Sequence, residues 1–130
     1  MRRIILMAIL CGSQVFGQAS SEMFTGGISN GRAWNVIPEE QKGTYLIAYR
    51  DYIYYRTVLD KTLNNTPWAK GFVVNDYVRE LDALYKDTEN VHIPIPFGFA
   101  YCTKKLAGEN TKKELETMLI ALRKQIATIK

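Results

Sequence analysis

The one histidine of this chain, His92, stands ten residues ahead of Cys102 in the stretch HIPIPFGFAYC. A thiol beside an imidazole can make a nucleophile and its base, and an imidazole alone is a common metal ligand. The rest of the sequence completes neither chemistry. No second histidine can share a metal, the only other cysteine is Cys11, and no phosphate loop or serine elbow is present. Gly26 and Gly27 are too short a pair to cradle a phosphate, and Glu39 and Glu40 read as charges placed at a helix start. We therefore expect a non-catalytic protein without metal or cofactor. Cys102 is then a small apolar core residue and His92 a capping or surface side chain.

The neighbours of His92 describe a corner. Pro94 biases Ile93 towards extended backbone, and Pro96 does the same to Ile95 before occupying the first turn of a helix. Asn90 can close the preceding helix in a left-handed conformation. The expected structural corner is thus Asn90, Ile93, Pro94 and Pro96. Its isoleucines plug the end of the core, and its prolines set the angle between two helices.

A different chemistry, recognition, is suggested by YLIAYRDYIYYRTVL. Tyrosines 45, 49, 52, 54 and 55 fall within eleven residues and spread around much of a helix, more than one buried stripe can hold. Arg50 and Arg56 are interleaved with them, and tyrosine with arginine is the pairing enriched at interface hot spots. The candidate partner-binding residues are Arg50, Tyr54, Tyr55 and Arg56, with Tyr54 the outward-facing member.

The elements that must position these groups begin after an export signal. Arg2 and Arg3, an apolar run from Ile4 to Cys11 and a small-residue end at Gly17-Gln18-Ala19 predict a signal peptide over residues 1–19, cleaved near Ala19. The run is well short of the roughly 20 residues a spanning helix needs, so no permanent membrane anchor is expected. Cleavage removes Cys11, leaving no partner for a disulfide, and lowers the formal charge from +4 to +2. So small a charge argues against nucleic acid as a partner. The expected location is periplasmic or secreted.

Residues 20–130 are expected to form one helical domain, with residues 20–30 a flexible lead-in. A short turn from Gly31 docks Trp34. A long helix then starts with Pro38 at its first position and shows an apolar spacing of 45, 48, 49, 52, 55, 59 and 63. Asn64-Asn65-Thr66 follows it, a glycosylation acceptor only in a eukaryotic secretory pathway. The next helix is capped by Asn75 or Asp76 and buries Tyr77, Val78, Leu81, Leu84 and Tyr85. Beyond the corner, a third helix buries combinations of Phe97, Ala100, Tyr101 and Leu106 and ends at Gly108. A fourth opens with a Thr111/Glu114 capping box and carries Leu115, Met118, Leu119, Leu122, Ile126 and Ile129. Four helices with short loops predict an all-α fold, a compact array of about four helices with a Pro-rich corner between the second and third.

The order of these motifs carries a resemblance. GRAWNVIPEEQKGTYLIAYRDY, then YVRELDALYKDTENVHIPIPFGFAY, then a basic, leucine-rich last helix resemble small exported bacterial proteins related to the Rap1a/Tai group of type VI secretion immunity proteins. The likeness covers roughly residues 31–125 and is most specific at Gly31 to Trp34, at LDALY, and at Asn90 with Ile93-Pro94. It implies a helical periplasmic protein, often dimeric, that blocks a secreted peptidoglycan hydrolase by occluding its cleft. The cysteine pair usual in that group has no counterpart after the signal, and no contact residues are carried over. The alternative expectation is an envelope accessory or structural protein that self-associates, as a homodimer through its last helix.

Overall fold

The computed structural model describes residues 21–59 and 68–129. The expected signal segment, the Asn64–Thr66 acceptor motif and the 63 position of the long helix lie outside them. Among the described residues are five α-helices: α1 (Gly31–Val36), α2 (Glu39–Tyr54), α3 (Val74–Lys86), α4 (Ile95–Ala107) and α5 (Lys112–Ile126). The expectation of an all-α array holds, with the turn that docks Trp34 forming the short α1.

Helix α3 lies at the centre because its apolar residues form one narrow face. Tyr77, Val78, Leu81, Leu84 and Tyr85 recur at helical spacing and are all buried, as expected. Its start differs by a few residues from expectation. Val73 takes the cap position, and Asp76, inside the first turn, accepts the Val73 N–H at 3.0 Å. That hydrogen bond, with Arg79 assisting at 2.9 Å, holds the Asp76 carboxyl below its ordinary pKa.

The Tyr85 ring enters the space where α1 and α4 approach α3. A Cβ on Gly31 would lie 2.2 Å from Tyr85 Cδ1, and one on Gly98 would lie 2.3 Å from Tyr85 Oη. Both glycines act by leaving room for this ring. Next to it, Tyr77 stacks on Phe99 with centroids 4.7 Å apart, and Trp68 meets both rings edge-on.

Helix α2 corrects the expected apolar stripe. Lys42, Leu46 and Ile53 are buried and Tyr45 and Tyr49 half-buried, while Ala48, Tyr52 and Tyr55 face outward. The cause is a buried ion pair. Lys42 Nζ donates to Asp82 Oδ1 on α3 at 2.6 Å and to Glu39 at 3.0 Å, and lies 5.5 Å from the Trp34 ring centroid. Asp82 Oδ1 also accepts the Trp34 indole N–H at 2.7 Å. Burial pulls the Lys42 pKa down, but the bonds and charges of Asp82 and Glu39 outweigh it and hold the ammonium above its usual value.

The expected flexible lead-in is folded. Phe24–Thr25 (β1) and Ile28–Ser29 (β2) pair antiparallel around Gly26 and Gly27, whose φ values of 57° and 77° suit a two-residue hairpin turn. Asn30 anchors it. Its Oδ1 caps α1 by accepting Arg32 N–H at 3.0 Å, and its Nδ2 donates to Glu22 O and Thr25 Oγ1 at 2.9 and 3.1 Å. Thr25 Oγ1 in turn donates to His92 O at 2.7 Å, tying the hairpin to the corner.

At the corner, Ile93, Pro94 and Ile95 are buried to within 2%, and Pro94 stands at the N-cap position of α4. Two details differ. Ile95 already belongs to α4, so Pro96 occupies the second position, where a missing N–H is equally harmless. Asn90 lies within a 3-10 turn, Thr88–Asn90, and works through its side chain. Its Nδ2 donates to Leu84 O and its Oδ1 accepts from Arg123 Nε on α5, both at 2.9 Å. Arg123 also reaches Asp87 and Glu89, clamping α5 to this turn.

Packing of Gly98 against Tyr85 and Leu84 of α3 puts Ile95, Gly98, Phe99 and Cys102 on the buried face of α4. Phe97 and Ala100 are exposed and Tyr101 and Leu106 half-buried. Gly108 closes α4 with φ 69°, and Thr111 with Glu114 forms the expected box on α5. Of the α5 stripe, Ile126 is buried, Leu115, Met118, Leu119 and Leu122 are half-buried, and Ile129 is exposed beyond the helix end.

These contacts set two expectations for stability. Gly31→Ala should cost about 3 kcal/mol in urea unfolding and much less in a Tyr85→Leu background; equal costs in both backgrounds would mean that the ring is not what excludes a side chain at 31. Asp82→Ala should cost about 1–3 kcal/mol, because it leaves the indole N–H without its acceptor and the Lys42 ammonium with Glu39 alone. An unchanged denaturation midpoint would show that water satisfies both groups.

Candidate functional site

The exposed end of α2 follows from its buried side. With Lys42, Leu46 and Ile53 turned inward, Tyr45 packs edge-on to Trp34 at 6.0 Å and Tyr49 edge-on to Phe99 at 5.2 Å. The remaining tyrosines have no room in the core. Tyr52, Tyr54 and Tyr55 are 53%, 58% and 52% exposed, so about half of each side chain is open to solvent. Ile47, Arg50 and Tyr54 share one row of the helix, and Ala48, Tyr52 and Tyr55 the next.

At Tyr55 the chain passes into a π-helical turn, Tyr55–Leu59. Such a turn rotates the following side chains out of the α-helical register. Arg56 comes back over Tyr52: its Nη1 donates to Tyr52 Oη at 3.1 Å, and the guanidinium lies 5.7 Å from the ring centroid. Arg50 Nε and Nη2 donate to Asp51 Oδ1 at 3.1 and 3.0 Å. That pair is exposed on both sides and contributes little to stability, so its groups can be redirected to a partner at small cost.

Of the four sequence-derived candidates, Arg50 and Tyr54 lie on one row of α2, Tyr55 stands beside Tyr52 on another, and Arg56 follows in the π-helical turn. Tyr52 joins them. Its spacing of four from Arg56 was the available signal for it. The patch offers three phenols, two guanidinium groups and a carboxylate on an exposed convex helix. That arrangement can recognise a surface.

The histidine and cysteine are not brought together. His92 is exposed at the corner, while Cys102 is completely buried on α4. Burial, with the Glu80 carboxylate adding to it, pushes the Cys102 thiol up to about 12. A thiol held neutral in this way is inert. Among the described residues, no group of three or more His, Cys, Asp or Glu side chains could hold a metal, and no helix is long and apolar enough to cross a membrane.

Comparison with known proteins adds no relative: no family model, no curated protein and no solved structure matches the chain.

The buried thiol and phenols lead to an expectation for alkaline pH. The folded thiol titrates near 12 against an ordinary value of 9.0, so its contribution to stability is complete below pH 9.0 and is lost as pH rises towards 12. Tyr45, Tyr49 and Tyr101, raised chiefly by burial, act in the same direction. Cys102 should ignore a thiol reagent at about pH 8 until the protein is unfolded. Rapid labelling of the native protein would contradict this burial.

Proposed function

We propose that the protein is an exported, non-catalytic helical binding protein that engages a protein partner through the tyrosine-rich end of α2. The observation that carries this reading is the exposure of Tyr52, Tyr54 and Tyr55, three neighbouring phenols, on a helix whose opposite face is buried. Tyrosine presents a large amphipathic area at small entropic cost, and arginine beside it supplies directional hydrogen bonds. Export rests on the paired arginines and short apolar run at the start of the sequence.

The partner class comes from the resemblance to type VI secretion immunity proteins. In this reading the partner is a secreted peptidoglycan hydrolase, an amidase in the wall, and the protein neutralises it by covering its cleft. Occlusion needs a rigid surface and complementary polar groups, and it asks nothing of His92 or Cys102.

A second reading is favoured by α5. Its Leu115, Met118, Leu119 and Leu122 are only half covered and Ile120 is 59% exposed, which suits self-association through this helix. Sedimentation equilibrium tests this second reading: a dimer that dissociates on dilution and is weakened by Leu122→Glu is expected, and a monomer at every concentration would remove it.

The partner is to be sought by mass spectrometry of what stays bound to tagged protein in periplasmic extract and in lysate containing the source cell's secreted effectors. Recovery of a stoichiometric wall hydrolase is the expected result. Tyr54→Ala or Arg50→Ala should then weaken binding by about 2 kcal/mol, roughly thirtyfold in Kd, with the fold intact. Unchanged affinity in both variants would remove this helix end from the interface, and recovery of the protein only with itself would shift the reading to α5.

A further inference from the structure

Packing fixes which side of α5 stays open. Arg123 is drawn to the Asp87–Asn90 turn, Ile126 is buried, and Leu115, Leu119 and Leu122 are half covered. Turned in this way, the helix leaves Glu116, Ile120 and Lys124 exposed at i, i+4 and i+8, a single row with Ile120 at its middle. Thr117 and Ala121, also exposed, flank that row. Thr117 Oγ1 already donates to Lys113 O at 2.8 Å, so its hydroxyl can be covered without losing a hydrogen bond.

The charges of the row complement themselves. Among the described residues, neither the Glu116 nor the Lys124 side chain is engaged in an ion pair or hydrogen bond. The two stand at equal distances, four residues, on either side of Ile120. A second copy of the row laid antiparallel therefore sets Ile120 on Ile120 and puts a lysine opposite each glutamate. Laid parallel, it sets glutamate on glutamate and lysine on lysine. Rows of this i, i+4 kind are the ridges that interlock in the commonest helix packing, with axes crossing at about −50°. The surface is thus complementary to itself in one direction and at one register.

We propose that two copies of the protein pair antiparallel through α5, about a twofold axis at Ile120, with each Glu116 meeting the partner's Lys124. This rests on self-association through α5, the second reading of function, and adds its direction and register. It holds whatever partner the α2 patch binds. A helix of 15 residues is about 22 Å long, so the seam is small and the dimer dissociates readily on dilution.

Charge exchange tests the pairing by sedimentation equilibrium. Glu116→Lys and Lys124→Glu each turn both cross-pairs of the symmetric dimer into like-charge contacts, and each should raise Kd about tenfold. The double variant restores opposite charges across an antiparallel seam and should return Kd to within about threefold of wild type. Ile120→Cys, an exposed position on the axis, supplies a measurement that needs none of these variants. It should form an interchain disulfide on mild oxidation, while Lys113→Cys, about 20 Å from its copy in this arrangement, should not. A wild-type monomer at every concentration would overturn both the pairing and self-association through α5. A wild-type dimer that the single exchanges leave unchanged, that the double exchange fails to rescue, or that cross-links as fast at 113 as at 120 would overturn the antiparallel pairing alone and leave self-association through α5 to stand or fall on Leu122→Glu.

Discussion

The Tyr85 ring sets how closely three helices can meet. It projects from α3 into the places where α1 and α4 would otherwise present side chains, and those places are held open by Gly31 and Gly98. The arrangement buries a large ring at the centre of a small domain, a substantial hydrophobic gain for one side chain. It has a cost as well. The Tyr85 hydroxyl finds no hydrogen-bond partner among the described residues, and burial pushes its pKa strongly up. The ring therefore has to stay neutral and enclosed. Tyr77, Phe99 and Trp68 then pack as rings on rings around the same point.

Around this centre, buried polar groups decide orientation. Asp82 on α3 accepts from both Lys42 and the Trp34 indole, so one carboxylate fixes α1 and the rotation of α2 together. Once Lys42 points inward, Leu46 and Ile53 follow on the same face. Tyr52, Tyr54 and Tyr55 are then turned to solvent. The proposed binding surface is thus a consequence of a buried ion pair more than a turn away from it. Such pairs give modest net stability but a strong preference for one arrangement, because any other leaves a charge stranded. Asn90 and Arg123 do the same for α5, and Asn30 for the hairpin.

How much of this could be read in the sequence depended on whether a residue's role was local. The α3 face was legible because its apolar residues repeat without competition from the polar ones. The caps at Gly108 and Thr111/Glu114 were legible because each is satisfied within a few residues. On α2 the tyrosines were counted as apolar and Lys42 as polar, and the stripe came out rotated. On α4 the packing against α3 buried Phe99 and left Phe97 outside, a choice between two aromatic residues that local spacing did not make. The Gly26-Gly27 pair between two short apolar segments was an available hairpin signal, unused because two residues make a poor alternation pattern.

The sequence by itself determined the helical class, the position of the proline corner and the concentration of tyrosine and arginine on one helix. These rest on periodicity, backbone restriction and residue count, which need no partner from elsewhere in the chain. Only the tertiary structure decided which tyrosines are exposed, that Lys42 is buried, and that Arg123 meets Asp87, Glu89 and Asn90. In each case the deciding group lies 30 or more residues away, on Asp82 for Lys42 and on the Asp87–Asn90 turn for Arg123. A charge is buried or exposed according to the partner that packing delivers to it, and that partner has no signature in the local sequence.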